Sequence, residues 1–190
     1  SYDLSTYQQD YAQLATSNPS RLINRAVAGQ YRPGSTFKPL VALSALAEGV
    51  IEPSTEVFCG GVYTRFDTYH PMCEGVHGYI NVADAIKYSC NLFFYDTGWN
   101  LGIEKLDEYA AKFGVGKPTG LEIYEAVGQM SSPEVKEKLH PSEPEWQPAD
   151  IIQTAIGQLD TTLTPLQLAN YTATLANGGN HMKVTLLKSV

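Results

Sequence analysis

Helix-start and helix-stop signals recur along this chain, and they restrict it to short helices joined by turns and loops. Pro33-Gly34 marks a turn, and Ser35-Thr36 beside an apolar-periodic stretch marks a helix start. Phe37, Leu40, Val41, Ser44 and Ala45 share one face of that helix, and Gly49 is its stop. Asn81 caps a further helix from Val82, with Asp84 in the first turn and Val82, Ala85, Ile86 and Ser89 along one side. Helices are also predicted over Leu92 to Gly98 and over Ile103 to Phe113, the second ended by Gly114. Asp150 begins another, and Thr164-Pro165 opens a last one that runs to Ala176 and stops at Asn177-Gly178-Gly179.

The intervening segments read differently. The first thirty residues show no sustained period until Leu14, which makes them an irregular lead-in with room for one short helix. Glu56 to Gly78 holds aromatic and β-branched residues between Gly60-Gly61, Pro71 and Gly75, and reads as a surface loop or an irregular hairpin. Four prolines, Pro133, Pro141, Pro144 and Pro148, make residues 131–148 a loop with at most one helical turn. Only Lys183 to Val190 looks strand-like.

Composition excludes whole classes. Of 190 residues, 43% are hydrophobic and 17% charged, enough apolar surface for a folded core and against wholesale disorder. The 13 Lys plus Arg are scattered singly against 20 Asp plus Glu, giving a net charge of −7 and no basic field for nucleic acid. The longest near-apolar run, Leu40 to Ala47, is far short of the roughly 20 residues a membrane-crossing helix needs. The chain starts at Ser1 without Met or a basic-then-apolar leader, so it reads as a piece whose export signal or anchor lies upstream or has been removed.

The strongest chemical signal is Ser35-x-x-Lys38 at the predicted helix start. Residues three apart share a helical face, so the Lys38 amine stands near enough to take the Ser35 proton. The Ser35 N–H is among the unpaired donors of a helix N-terminus, so it could donate to a developing oxyanion. Pro39 lacks the N–H that would bond the Ser35 carbonyl, which releases the first turn from the usual ladder. To act as a base near neutral pH, a lysine must lose roughly 4 kcal/mol of its preference for the charged form. A helix N-terminus supplies at most about 2 of these, so burial and hydroxyl partners must provide the rest. Ser89-Cys90-Asn91, fifty-four residues on, sits at a helix-to-helix junction that can point a hydroxyl and a carboxamide into the same cleft. Ser89 would then bridge Lys38 to a leaving group while Asn91 holds a substrate amide. Taken alone, each short pattern is more simply read as a capped helix start with a solvated lysine or as an ordinary turn.

Together these segments resemble class B penicillin-binding proteins. The similarity also runs through Ser1 to Leu4, Leu22 to Ala26, Tyr31 to Pro39, Phe113 to Gly116 with Thr119-Gly120, Ile156 to Gln158, Thr164 to Ala169 and Ala176 to Gly179, in the family's order. The resemblance implies a mixed α/β transpeptidase domain of which residues 1–190 hold the helical part, without the N-terminal strands and without the strand carrying Lys-Thr-Gly. Lys117-Pro118-Thr119-Gly120 is not that element, having one residue too many and following a helix. It further implies a D,D-transpeptidase in which Ser35 is the nucleophile, Lys38 and Ser89 move the proton and Asn91 binds substrate. Peptidoglycan stem peptides and β-lactams would be its ligands. No metal or organic cofactor is implied. The parent protein would stand on the extracytoplasmic face of a bacterial membrane among cell-wall assembly partners. Ser-Thr-Phe-Lys also occurs in class D-type serine β-lactamases and β-lactam sensors, although Asn91 stands where those have an apolar residue. A non-catalytic interaction domain is the other alternative.

The thiols leave several readings open. Cys59, His70, Cys73 and His77 could form a zinc site of spacing Cys-x10-His-x2-Cys-x3-His. An exported domain meets an oxidising compartment, so a Cys59–Cys73 disulfide worth about 3 kcal/mol is a second reading, and two free thiols a third. Cys90 is expected as a small buried apolar residue, and Trp99 and Trp146 as packing.

Overall fold

In chain order, the residues 3–188 that the computed structural model describes form α1 (Tyr7–Ala15), α2 (Arg25–Ala28), a 3-10 turn (Gly34–Phe37) and α3 (Lys38–Ala47). They continue as β1 (Val57–Cys59), β2 (Gly78–Ile80), α4 (Val82–Lys87), α5 (Asn91–Leu101), α6 (Ile103–Lys112), α7 (Pro133–Leu139), α8 (Pro148–Ala155) and α9 (Pro165–Ala176). Helices dominate, as expected of this part of the domain.

Helix α5 is the hub. Leu92, Phe93, Phe94, Tyr95, Thr97, Gly98 and Leu101 are all buried, so it is apolar around most of its circumference, as a helix enclosed by others must be. It packs on α3, α4, α6, α8 and β1. The approach to α8 is close enough that a Cβ on Gly98 would stand 2.3 Å from the Ala155 Cβ, which reserves position 98 for glycine. Helix α3 is the second core element, with Leu40, Val41, Ser44 and Ala45 at 0% exposure. Between them these two helices carry Lys38 and Asn91.

Local chemistry accounts for the helix boundaries. Asn81 Oδ1 accepts from Asp84 N–H at 3.1 Å and starts α4. Thr164 and Gln167 form a reciprocal capping box at the head of α9, with Pro165 at its first position. The expected end of α9 is also met, with Asn177 as its cap.

Four expectations need correction. The 131–148 segment is more than one turn of helix: α7 has seven residues, with Ser132 as its cap and Pro133 in the first turn, where a missing N–H costs nothing. Helix α8 begins at Pro148, ahead of Asp150, for the same reason. There Asp150 Oδ2 accepts from both the Gln147 N–H at 2.7 Å and Lys136 Nζ at 2.6 Å, so one buried carboxylate caps α8 and ties it to α7. The lead-in contains two helices. In α1 only Leu14 is buried, and that is why its sequence shows no apolar stripe. Residues 183–188 form no strand, and positions 189–190 lie outside the described residues, as do Ser1 and Tyr2 of the family-like opening segment.

Residues 56–78 are an irregular hairpin. β1 and β2 pair antiparallel with Val57 opposite Ile80 and Cys59 opposite Gly78, and an isolated bridge joins Val62 to Met72. It is no mere surface loop, because Cys59, Tyr63, Cys73 and Ile80 are buried in the core.

Candidate active site

The 3-10 turn presents Ser35 to solvent and the start of α3 sends Lys38 inward, leaving it 1% exposed. The turn is held from below by Gly157, whose carbonyl accepts the Gly34 N–H at 2.9 Å. Gly157 has φ +69°, and a Cβ there would lie 2.3 Å from the Gly34 oxygen, so both conformation and space require glycine.

Ser89 enters from the end of α4. Its N–H bonds to Ile86 O and the Cys90 N–H bonds to Ala85 O, the two closing bonds of a Schellman motif. That motif needs a left-handed residue, normally glycine, and here Ser89 occupies it at φ +54°. A non-glycine residue in this region costs about 1–2 kcal/mol. Backbone strain of this kind is tolerated where the side chain's position is worth more than the relaxation.

The four sequence-predicted residues converge. Lys38 Nζ donates to Ser89 O at 2.7 Å, Ser89 Oγ at 3.1 Å and Asn91 Oδ1 at 2.7 Å. Ser89 Oγ donates to Ser35 Oγ at 2.8 Å. The geometry differs from direct contact of the Lys38 amine with Ser35, because the Ser89 hydroxyl stands between them. Asn91 is engaged with Lys38 through its oxygen and makes a long contact from Nδ2 to Met72 O at 3.5 Å. Burial pulls the Lys38 amine below the ordinary lysine value, against the opposite influence of Cys73, Cys90 and Glu74. A cation–π contact with the Phe94 ring, 5.6 Å from its centroid, completes the surroundings.

Directly behind Asn91 lies the thiol cluster. Cys59, Cys73, His77 and Cys90 bring one donor atom each to within 4.8 Å of one another. His77 Nδ1 is 3.3 Å from Cys59 Sγ and 3.7 Å from Cys73 Sγ, and Cys73 Sγ is 3.9 Å from Cys90 Sγ. Tetrahedral zinc with Zn–S near 2.3 Å has donor-to-donor edges of about 3.8 Å, so this Cys3His set fits the ion. Four protein donors leave no open coordination position, the arrangement of a structural site. His70, one of the four residues in the zinc reading, is exposed and stands outside the cluster, and Cys90 stands in its place. Sequence spacing hid Cys90, which stands thirteen residues past His77 as the N-cap residue of α5, beyond the hairpin that carries the other three donors. All three cysteines are free thiols, so the Cys59–Cys73 disulfide is not present. Lys117-Pro118-Thr119-Gly120 is bound into a turn in which Glu125 accepts from the Thr119 and Gly120 N–H groups, with the Thr119 hydroxyl also donating to it.

A solvent-facing serine at a helix start, a lysine buried beneath it and a second hydroxyl between them are the arrangement that serine acyl transfer would need. Comparison with known proteins gives the family. The description "Penicillin binding protein transpeptidase domain" matches residues 1–190, and the chain belongs to that family. It is 36% identical over 183 residues to the Salmonella typhimurium peptidoglycan D,D-transpeptidase MrdA, an alignment covering 94% of this chain and 29% of that protein. Among solved structures, Pseudomonas aeruginosa PBP2 in complex with WCK 5153 superposes with a TM-score of 0.91 at 36% identity, covering the whole of this chain and 44% of the other. PBP2 from Helicobacter pylori, in its complex with MreC, superposes with a TM-score of 0.85 at 30% identity over 93% of this chain and 34% of the other. The chain thus spans less than half the length of each of these proteins.

Proposed function

We propose that this chain is the nucleophile-bearing part of a D,D-transpeptidase that cross-links peptidoglycan. The observation that carries the reading is the hydrogen-bonded line from Lys38 Nζ through Ser89 Oγ to Ser35 Oγ. As an ammonium, Lys38 donates to all three of its oxygen partners. As a neutral amine it keeps two N–H groups for Ser89 O and Asn91 Oδ1 and turns its lone pair to Ser89 Oγ. In that state the Ser89 proton passes to Lys38 and the Ser35 proton to Ser89, with both hydroxyls rotating in place. Ser35 Oγ then bonds to the carbonyl carbon of the penultimate D-alanine of a stem peptide, and the Ser35 N–H meets the oxyanion. The C–N bond to the terminal D-alanine breaks, and its nitrogen takes the proton back along the same line. An amine of a neighbouring stem then displaces Ser35 by the reverse sequence. β-Lactams acylate Ser35 by the first half of this scheme.

The names of the relatives support the substrate class, and the H. pylori complex supports a parent protein that works with cell-wall assembly partners outside the cytoplasmic membrane. Among the described residues no helix is long and apolar enough to cross a membrane. The cysteine–histidine cluster, if it holds zinc, supplies rigidity behind Ser89 and Asn91 and takes no part in the proton path. The Lys-Thr-Gly strand that the resemblance implies would come from another part of the protein. In the full-length protein, Ser35→Ala abolishes covalent labelling by a fluorescent penicillin with the melting temperature preserved. An adduct of undiminished yield in this variant would remove Ser35 from its role.

A further inference from the structure

The nucleophile turn and the lysine helix are separated by an interruption that a residue outside both motifs maintains. In a continuous α-helix the Thr36 carbonyl would accept from the Leu40 N–H. Here the Tyr171 hydroxyl stands between them, accepting from Leu40 N–H at 3.1 Å and donating to Thr36 O at 3.2 Å. The neighbouring bond, from residue 39 to Ser35 O, is missing because residue 39 is proline, and Ser35 O is taken by the Lys38 N–H in 3-10 fashion. Two successive rungs of the ladder are therefore absent as α bonds, one removed by an imino residue and one intercepted by a side chain. Insertion of a side chain into the ladder is a recognised cause of helix interruption, and short 3-10 stretches inside helices mark functional joints.

The interruption falls between Ser35, inside the 3-10 turn, and Lys38, the first residue of α3. It therefore decides where the nucleophile sits relative to the lysine and Ser89. Tyr171 is well placed to hold it. It lies in α9, is 2% exposed, and its ring packs edge-on against Phe113 at 5.7 Å, so the hydroxyl is delivered from a fixed direction. It is a buried polar group with both hydrogen-bonding roles satisfied by the joint itself, and nothing in the proton path uses it.

We propose that Tyr171, acting with Pro39, is a positioning residue that keeps the Ser35 turn in its 3-10 form and so sets the Ser35–Ser89–Lys38 geometry. The inference rests on the proposed acyl-transfer reading and deepens it. Misplacement of a reacting group by about 1 Å costs on the order of 100-fold in rate.

The test uses the full-length protein and separates the covalent step from binding. Tyr171→Phe keeps the ring and deletes the hydroxyl. Its acylation rate constant for a fluorescent penicillin should fall by about tenfold or more with the non-covalent dissociation constant unchanged. A crystal structure of the variant should show residues 34–37 displaced or wound into the α form. A purely structural tyrosine would lower the melting temperature and leave the acylation rate constant alone; a rate within twofold of the parent's, or an unaltered 3-10 turn, overturns the proposal. Should Tyr171→Phe fail to fold, Pro39→Ala decides. It restores the missing N–H and should lose rate at an equal or higher melting temperature, and an unchanged rate there overturns the proposal. A parent protein that never acylates would instead count against the proposed function, while the crystallographic comparison still reads the joint.

Discussion

At Ser89 the demands of side chain and backbone pull apart. Its hydroxyl joins Lys38 to Ser35, and its backbone pays for that placement at φ +54°. Ser89→Ala and Ser89→Gly both delete the hydroxyl, so both should lose acylation to the same degree. The glycine variant should nevertheless be the more stable of the two by about 1 kcal/mol, because only it relaxes the left-handed strain. Equal denaturation midpoints for the two would show that the backbone there is unstrained. At Lys38 the controlling fact is burial, which lowers the amine below its ordinary value. Acylation should rise with pH through a midpoint below that of a free lysine. Lys38→Arg should be nearly as inactive as Lys38→Ala, since guanidinium keeps its proton. The same depression has a stability sign. Between the depressed value and the ordinary one the unfolded chain binds more protons at this site than the folded one, so stability rises with pH. Chemical denaturation at a series of pH values should show the parent gaining on Lys38→Met across that window.

At the scale of elements, the hairpin and α5 meet at the thiol cluster. Cys59 ends β1, Cys73 and His77 lie on the connection to β2, and Cys90 is the N-cap residue of α5, its Sγ accepting from Phe93 N–H at 3.5 Å. Cys73 Sγ also accepts from the Asn91 N–H at 3.2 Å, so the cluster is bonded to the residue that holds Lys38. Burial would raise the Cys73 thiol, but N–H donors from Gly75, Leu92 and Asn91 lower it overall, which favours the thiolate a metal needs. Zinc at one equivalent should raise the melting temperature of the metal-free protein, and a chelator should reverse it. Cys59→Ser should weaken both responses. Mass spectrometry of the purified native protein should find about one zinc per chain, and a melting temperature indifferent to zinc and chelator alike would show that the four donors are a thiol cluster only.

For the whole molecule, the fold gathers Ser35, Lys38, Ser89 and Asn91 at one place. Ser35, the Ser89 hydroxyl and the Asn91 carboxamide come from the 3-10 turn, the α4–α5 junction and α5, while no Lys-Thr-Gly occurs in the sequence of residues 1–190. Loss of a single oxyanion donor typically costs about 10² to 10³ in rate. Residues 1–190 alone should therefore be acylated by penicillin at least about 100-fold more slowly than the full-length protein. Equal rates would mean that the cleft is complete within these residues.

Local chemistry decided much of this protein before any packing did. Asn81, Thr164-Pro165 and Asn177-Gly178-Gly179 mark helix ends because caps and breakers act within a few residues of themselves. Ser35-x-x-Lys38 and Ser89-x-Asn91 were legible as a candidate site because each pair is placed by a single turn of chain. What lay beyond the sequence were relations between distant segments: Ser89 standing between Lys38 and Ser35, Cys90 completing a donor set begun at Cys59, and Tyr171 entering the ladder of a helix 131 residues before it. The exposed α1 has no legible bounds in the sequence and α7 reads there as too short for the opposite reason, one having no apolar stripe and the other starting with a residue that reads as a breaker. Periodicity records how a segment meets water, and the tertiary structure alone decides which side chains meet each other, since those distances depend on every packed helix between them.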